Sequence, residues 1–158
     1  MNEKQKNTDA NQYPLYILGT RVDDVSIEEA IEKINFQFSI FNFQKFIVTP
    51  NPEICLYALK DEHYRRDILD KAFLGLPDGF GLKIAALIFG EKLRNRVTGV
   101  DFTEALMEYA AQNSARVFLF GGEEGVAEKC KEVLENKYKG LQIVGVMSGK
   151  ISNFQFSN

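Results

Sequence analysis

The segment Leu76-Pro77-Asp78-Gly79-Phe80-Gly81 sets one carboxylate between a short apolar run, Ala72 to Leu76, and a glycine-flanked helix start. An acid at the carboxyl end of a buried strand stands where open α/β sheets form their ligand crevice, and there it can act as a general base toward a hydroxyl. The same residue type also caps helices, so Asp78 has a second reading as the N-cap of a helix beginning near Gly79. The run Glu91-Lys92-Leu93-Arg94-Asn95-Arg96 brings three cations together, either facing phosphate or lying in a solvated loop. At Gly121-Gly122, backbone amides could approach a phosphate at a helix start, or the pair could simply make a tight turn at positive φ. Glu123-Glu124 would repel an anion at that terminus, and neither GxGxxG nor a P-loop Lys-Ser/Thr is present.

Other chemistries find little support. His63 is the only histidine and lies in the polar run Lys60 to Arg66, which predicts an exposed side chain with no catalytic duty. Cys55 and Cys130 are far apart without CxxC spacing, so neither a disulfide framework nor a zinc site is signalled, and a reducing cytosol fits. The sequence contains no DxD motif; its one adjacent Asp pair, Asp23-Asp24, precedes the first predicted helix. A net charge of −3 argues against nucleic acid as a partner, and 13 Phe among 45% hydrophobic residues with no Trp read as core packing. Neither an apolar segment of about 20 residues nor a secretion signal is visible.

The elements that must position Asp78 follow from periodicity. Short apolar runs at Leu15–Leu18, Phe46–Thr49, Phe73–Leu76, Val117–Phe120 and Ile143–Val146 alternate with helical patterns. Ser26 and Glu29 form a capping box ahead of Ile27, Ala30, Ile31 and Ile34, in a helix ending within Phe36–Asn42. Asn51-Pro52-Glu53 reads as N-cap, proline at N1 and first-turn acid of a helix reaching about Lys60, and a short helix is predicted over Tyr64–Lys71. The nearly all-apolar Phe80–Phe89 predicts a helix buried against the sheet. Asp101 and Glu104 make a second capping-box pair for a helix ending near Ser114, and Glu124–Tyr138 carries the stripe Val126, Ala127, Cys130 and Leu134. Repeated βα alternation selects an α/β fold of one domain, with a mostly parallel, Rossmann-like sheet and helices on both faces. The expected organisation is a disordered polar tail over residues 1–13 and the α/β domain over 14–158.

Three segments in order, Val48-Thr49-Pro50-Asn51-Pro52-Glu53, Leu76 to Gly81, and Arg94-Asn95-Arg96-Val97-Thr98-Gly99-Val100-Asp101, followed by Phe118 to Gly122, resemble the WecG/TagA/CpsF family of glycosyltransferases. The resemblance covers about Leu15 to Gly149. It implies a UDP-activated sugar as donor, of the N-acetylmannosamine type, and a polyprenyl-diphosphate-linked N-acetylglucosamine as acceptor, at the cytoplasmic face of the membrane, in teichoic acid or other surface polysaccharide synthesis. The resemblance also implies that no metal and no cofactor are needed, and the missing DxD agrees with it. By motif, Asp78 resembles the family's catalytic base in a single inverting displacement, and Arg96 the basic residue facing the departing diphosphate. Thr49 and Asn51 resemble a pair near the donor or acceptor sugar, with Asn51 equally readable as a plain N-cap. Asp101 matches a family acid whose helix-capping pattern favours a structural duty. Gly79, Gly121 and Gly122 are counted with the substrate-binding positions.

Family members continue past the segment matching Ser148-Gly149 with further elements, a Gly-x-Pro-x-Gln-Glu motif and a basic membrane-engaging appendage. The expectation is a shortened domain lacking those elements: a truncated form, a chain whose missing wall a partner supplies, or a degenerate copy that binds without catalysing. A peripheral membrane contact and a homo-oligomer both stay open. The alternative function is a nucleotide-sugar binding or oligomerisation module without turnover. A Rossmann-type oxidoreductase is disfavoured, because the first βα turn, read as Gly19 to Asp24, lacks the glycine spacing that admits a dinucleotide.

Overall fold

The fold is that of a computed structural model, described for residues 14–38 and 45–150; the expected tail at 1–13 and the final residues 151–158 lie outside the described residues. The chain divides into two compact units, Met1–Phe102 and Thr103–Asn158.

The first unit opens with a hairpin. Strand β1 (Leu15–Ile17) pairs antiparallel with β2 (Thr20–Val22), Leu15 opposite Val22. The predicted βα turn at Gly19–Asp24 thus contains a second strand. Leu18 and Gly19, at φ 50 and 76, give the two-residue turn the positive φ at both central positions that matches strand twist. A Leu at the first of those positions carries no hairpin signature, which is why periodicity alone passed over it.

Helix α1 (Ile27–Phe38) starts at the predicted capping box: Ser26 N donates to Glu29 Oε2 at 2.8 Å, and Glu29 N to Ser26 Oγ at 3.2 Å. Ala30 and Ile34 are buried as its spacing requires. Strand β3 (Ile47–Val48) pairs in parallel with β4 (Leu74–Gly75). Between them run α2 (Pro52–Lys60), a single turn α3 (Glu62–Tyr64) and a π-helical turn over Arg65–Leu69, in place of the one helix predicted over Tyr64–Lys71.

Helix α4 (Phe80–Ile88) departs from expectation. Leu82 and Ala86 enter the core with Leu15, Ile17, Val22, Cys55 and Leu93, but Leu87 is 75% exposed and Ile88 74%. Phe80, Ile84 and Phe89 are also exposed, so this helix is buried along one stripe and not all round.

Helix α5 (Gly99–Gln112) spans the boundary between the units. In the second unit β5 (Arg116–Phe120), α6 (Val126–Lys137) and β6 (Gln142–Met147) make a strand, helix, strand unit, β5 pairing in parallel with β6. Met107, Ala110, Leu141 and Ile143 form its core, with Leu134 packed against them; Val126 and Cys130 of the predicted stripe are exposed.

Helices and parallel strand pairs are thus present, as alternation predicted. The described strands form three separate two-stranded pairs, two parallel and one antiparallel, not one mostly parallel sheet. Around β3 and β4 the reason is chemical. Pro50 and Pro77 lack a donor where the ladder would continue, and just past β2 Gly75 bonds to Asp23, whose N–H donates to Gly75 O and whose Oδ2, in place of a strand carbonyl, accepts from Gly75 N, each at 2.7 Å.

Candidate active site

Beyond the carboxyl ends of β3 and β4, three stretches of backbone run side by side. Leu76 N donates to Val48 O at 2.8 Å, Asp78 N to Pro50 O at 2.9 Å, and Val97 N to Pro77 O at 3.0 Å. Both prolines are fully buried, so this frame is rigid at its base. Thr49, Asp78 and Gly99 face one another across it.

Asp78 is half-buried, and its Oδ2 accepts the Gly99 N–H at 3.1 Å. Its other oxygen, Oδ1, has no hydrogen-bond partner among the described residues. A Cβ placed on Gly99 would stand 3.3 Å from Thr49 Oγ1 and 3.6 Å from Asp78 Oδ2, so both side chains lie against the same glycine. Asp78 does not cap the helix beside it. Gly79, at φ 96, occupies the N-cap position of α4 without any side-chain cap, and Asp78 instead serves the first amide of α5.

Asn51 caps α2 with Oδ1, accepting from Ile54 N at 2.8 Å, which leaves its Nδ2 donors without a partner among the described residues. Arg96 is exposed and makes no ion pair or hydrogen bond among the described residues. Asp101 accepts from Thr98 Oγ1 at 2.6 Å and gives its N–H back to that hydroxyl at 3.1 Å. Helix α5 therefore begins with a Thr98 and Asp101 capping pair, three residues earlier than the predicted Asp101 and Glu104 pair. The amino end of this helix is met by two carboxylates, where its dipole favours negative charge.

Gly121 and Gly122 lie in the second unit, both at positive φ, 123 and 74. Gly121 N donates to Met147 O and Gly122 O accepts from Gly149 N, each at 2.9 Å, so the Gly121 amide is already engaged. Glu123 pairs with Lys150 at 3.0 Å. His63 is exposed and pairs with Asp67.

One residue the sequence passed over holds the basic run. Asp24 has a fully buried carboxylate that accepts from Arg94 N (3.2 Å), Arg94 Nε (3.0 Å), Asn95 N (2.8 Å) and Asn95 Nδ2 (3.0 Å). Burial works to raise its carboxyl pKa, but the bonds from Asn95 and Arg94 outweigh it and hold the group below its ordinary value. The only advance signal was an Asp pair just before a helix, and the partners are 70 and 71 residues away. A cleft of about 700 Å³ opens nearby, lined among others by Arg21, Asp23, Asp24, Phe36 and Arg94. Thr49 and Asp78 do not line it, and its Arg21 and Asp23 pair with each other at 2.8 Å, as Arg94 does with Asp24.

The profile of the Glycosyl transferase WecG/TagA/CpsF family matches residues 15–157. The chain belongs to that family. Among curated relatives, the N-acetylglucosaminyldiphosphoundecaprenol N-acetyl-beta-D-mannosaminyltransferase of Bacillus spizizenii is 32% identical over 108 residues, 68% of this chain and 42% of that protein. The enzyme of the same name from Bacillus subtilis is 30% identical over 107 residues, 68% of this chain and 41% of that protein. That from Staphylococcus aureus is 28% identical over 133 residues, 84% of this chain and 52% of that protein. The chain spans about half the length of the curated relatives it matches.

Proposed function

We propose that this chain carries the base-bearing part of an inverting WecG/TagA/CpsF glycosyltransferase, which moves a sugar of the N-acetylmannosamine type from a UDP-sugar to a polyprenyl-diphosphate-linked N-acetylglucosamine. The observation that carries this reading is Asp78, with one oxygen fixed by Gly99 N–H and the other without a partner, at the carboxyl ends of two parallel strands. Such a carboxylate is oriented and still able to take a proton. The names of the relatives supply the acceptor and the transferred sugar.

In the proposed step the acceptor hydroxyl attacks the anomeric carbon while Asp78 Oδ1 takes its proton. The bond from that carbon to the UDP oxygen breaks with its electron pair, and UDP leaves. Arg96 meets the developing diphosphate charge with a guanidinium that has no competing partner among the described residues. Thr49 and Asn51 Nδ2 lie on the same rim and are suited to sugar hydroxyls. No metal takes part. The protein works at the cytoplasmic membrane face; among the described residues no helix is long and apolar enough to cross a membrane.

The test is transfer from UDP-N-acetylhexosamines to the lipid-linked acceptor, measured beside calorimetric UDP binding. Asp78→Asn should lower turnover by about 10²- to 10⁴-fold with UDP affinity retained. Unchanged turnover in Asp78→Asn overturns the assignment, and loss of activity on adding EDTA overturns the metal-free version.

A further inference from the structure

The arch from Arg94 to Arg96 is tied down on both sides. Leu93 and Val97 are buried at its feet, and Val97 N and Gly99 N bond to Pro77 O and Asp78 Oδ2 on the site side. On the other side the arch rests on Asp24. Each oxygen of that carboxylate takes two donors: Oδ2 binds the amide and Nε of Arg94, and Oδ1 the amide and Nδ2 of Asn95. Two of those four donors are backbone N–H groups of the residues immediately before Arg96. The bonds therefore fix the direction of the main chain there, and not merely one side chain. Arg94 is turned inward onto Asp24, and the next cation, Arg96, is left exposed and unpaired among the described residues.

From this geometry we infer that Asp24 is a positioning residue for Arg96: by clamping the Arg94 and Asn95 amides it presents the Arg96 guanidinium to a nucleotide diphosphate. The inference rests on the proposed role of Arg96 at the UDP leaving group. A clamp of this kind reduces the entropy lost when a long, flexible side chain closes on its ligand. It requires both carboxylate oxygens. In Asp24→Asn one of them becomes an NH₂ that faces N–H donors, so half of the clamp becomes unfavourable while side-chain volume is kept.

Two measurements test it. In the absence of ligand, ¹⁵N relaxation of the full chain should show the Arg94, Asn95 and Arg96 amides more mobile in Asp24→Asn, with Gly99 unchanged. Asn95→Ala, which removes only the Nδ2 contacts, should do the same to a smaller degree and guards against a variant that fails to fold. Unaltered mobility at Arg96 in both variants overturns the clamp. In UDP titrations, Asp24→Asn should weaken binding about tenfold when Arg96 is present and less than about twofold in an Arg96→Gln background, the non-additivity expected of two residues acting through one another. Equal weakening in both backgrounds overturns the positioning role and makes Asp24 a structural residue only. A chain that shows the mobility change but whose UDP affinity ignores Arg96→Gln would retain the clamp and lose the leaving-group reading, so the two failures are distinguishable.

Discussion

Gly81 and Pro52 are packed so closely that a methyl group on Gly81 would stand 2.7 Å from Pro52 Cγ. The first turn of α4 therefore lies on the proline that opens α2, and Gly79 is held beside it, its missing Cβ 3.6 Å from Pro52 Cδ. This contact joins the two helix starts that flank Thr49 and Asp78. Alanine in a helix interior normally gains about 1 kcal/mol over glycine. At position 81 overpacking against a rigid ring should outweigh that gain, and Gly81→Ala should lose about 1 kcal/mol net in urea unfolding. Pro52→Ala added to it should recover part of the loss; a Gly81→Ala protein more stable than the parent would show that the ring yields.

The two sides of α4 should respond in opposite ways. Leu82 is 1% exposed, and Leu82→Ala should cost about 2–5 kcal/mol through lost burial and the cavity left behind. Leu87→Lys with Ile88→Glu, on the open side, should stay within about 0.5 kcal/mol of the parent in the described unit. The same pair should reduce binding of a hydrophobic dye, since those side chains are among the most exposed large apolar groups of the described residues.

Asp24 gives stability a defined pH window. Its folded pKa lies below the ordinary 3.8, so the clamp's contribution is complete above that value and is lost as pH falls through the lower, folded one. Denaturant midpoints of the parent and of Asp24→Asn should differ at neutral pH and converge in acid below about 3.8. A gap that persists undiminished in strong acid would mean that the charge on Asp24 is not what stabilises the arch.

Local features were the most legible. The Ser26 and Glu29 box and the Asn51-Pro52-Glu53 start lie within a few residues of their partners, so side-chain chemistry and spacing suffice to read them, and α1 and α2 begin where predicted. The start of α5 was missed by three residues because Thr98, ahead of the obvious acid, takes the cap position and recruits Asp101 as its partner. The hairpin was missed because its turn uses Leu18, a residue rarely found at φ 50. The motif residues Thr49 and Asp78 do come together with Gly99, while the duty of Asp24 depends on partners some 70 residues away and leaves no trace in any local window. The open side of α4 is illegible for a different reason: apolar composition predicts the wish to be covered, and says nothing of what covers it.

The carboxylates of Asp78 and Asp101 at the head of α5 have a consequence for anions. That helix terminus, elsewhere a natural cradle for phosphate, is already neutralised here. Attraction for a pyrophosphate then falls on solvent-facing guanidinium, which the ionic atmosphere reaches freely. Raising salt from about 0.1 M to 1 M shrinks the screening length from roughly 10 Å to 3 Å, and UDP affinity should fall steeply across that range. On the proposed reading, nucleotide capture by this fold would thereby be governed by ionic strength.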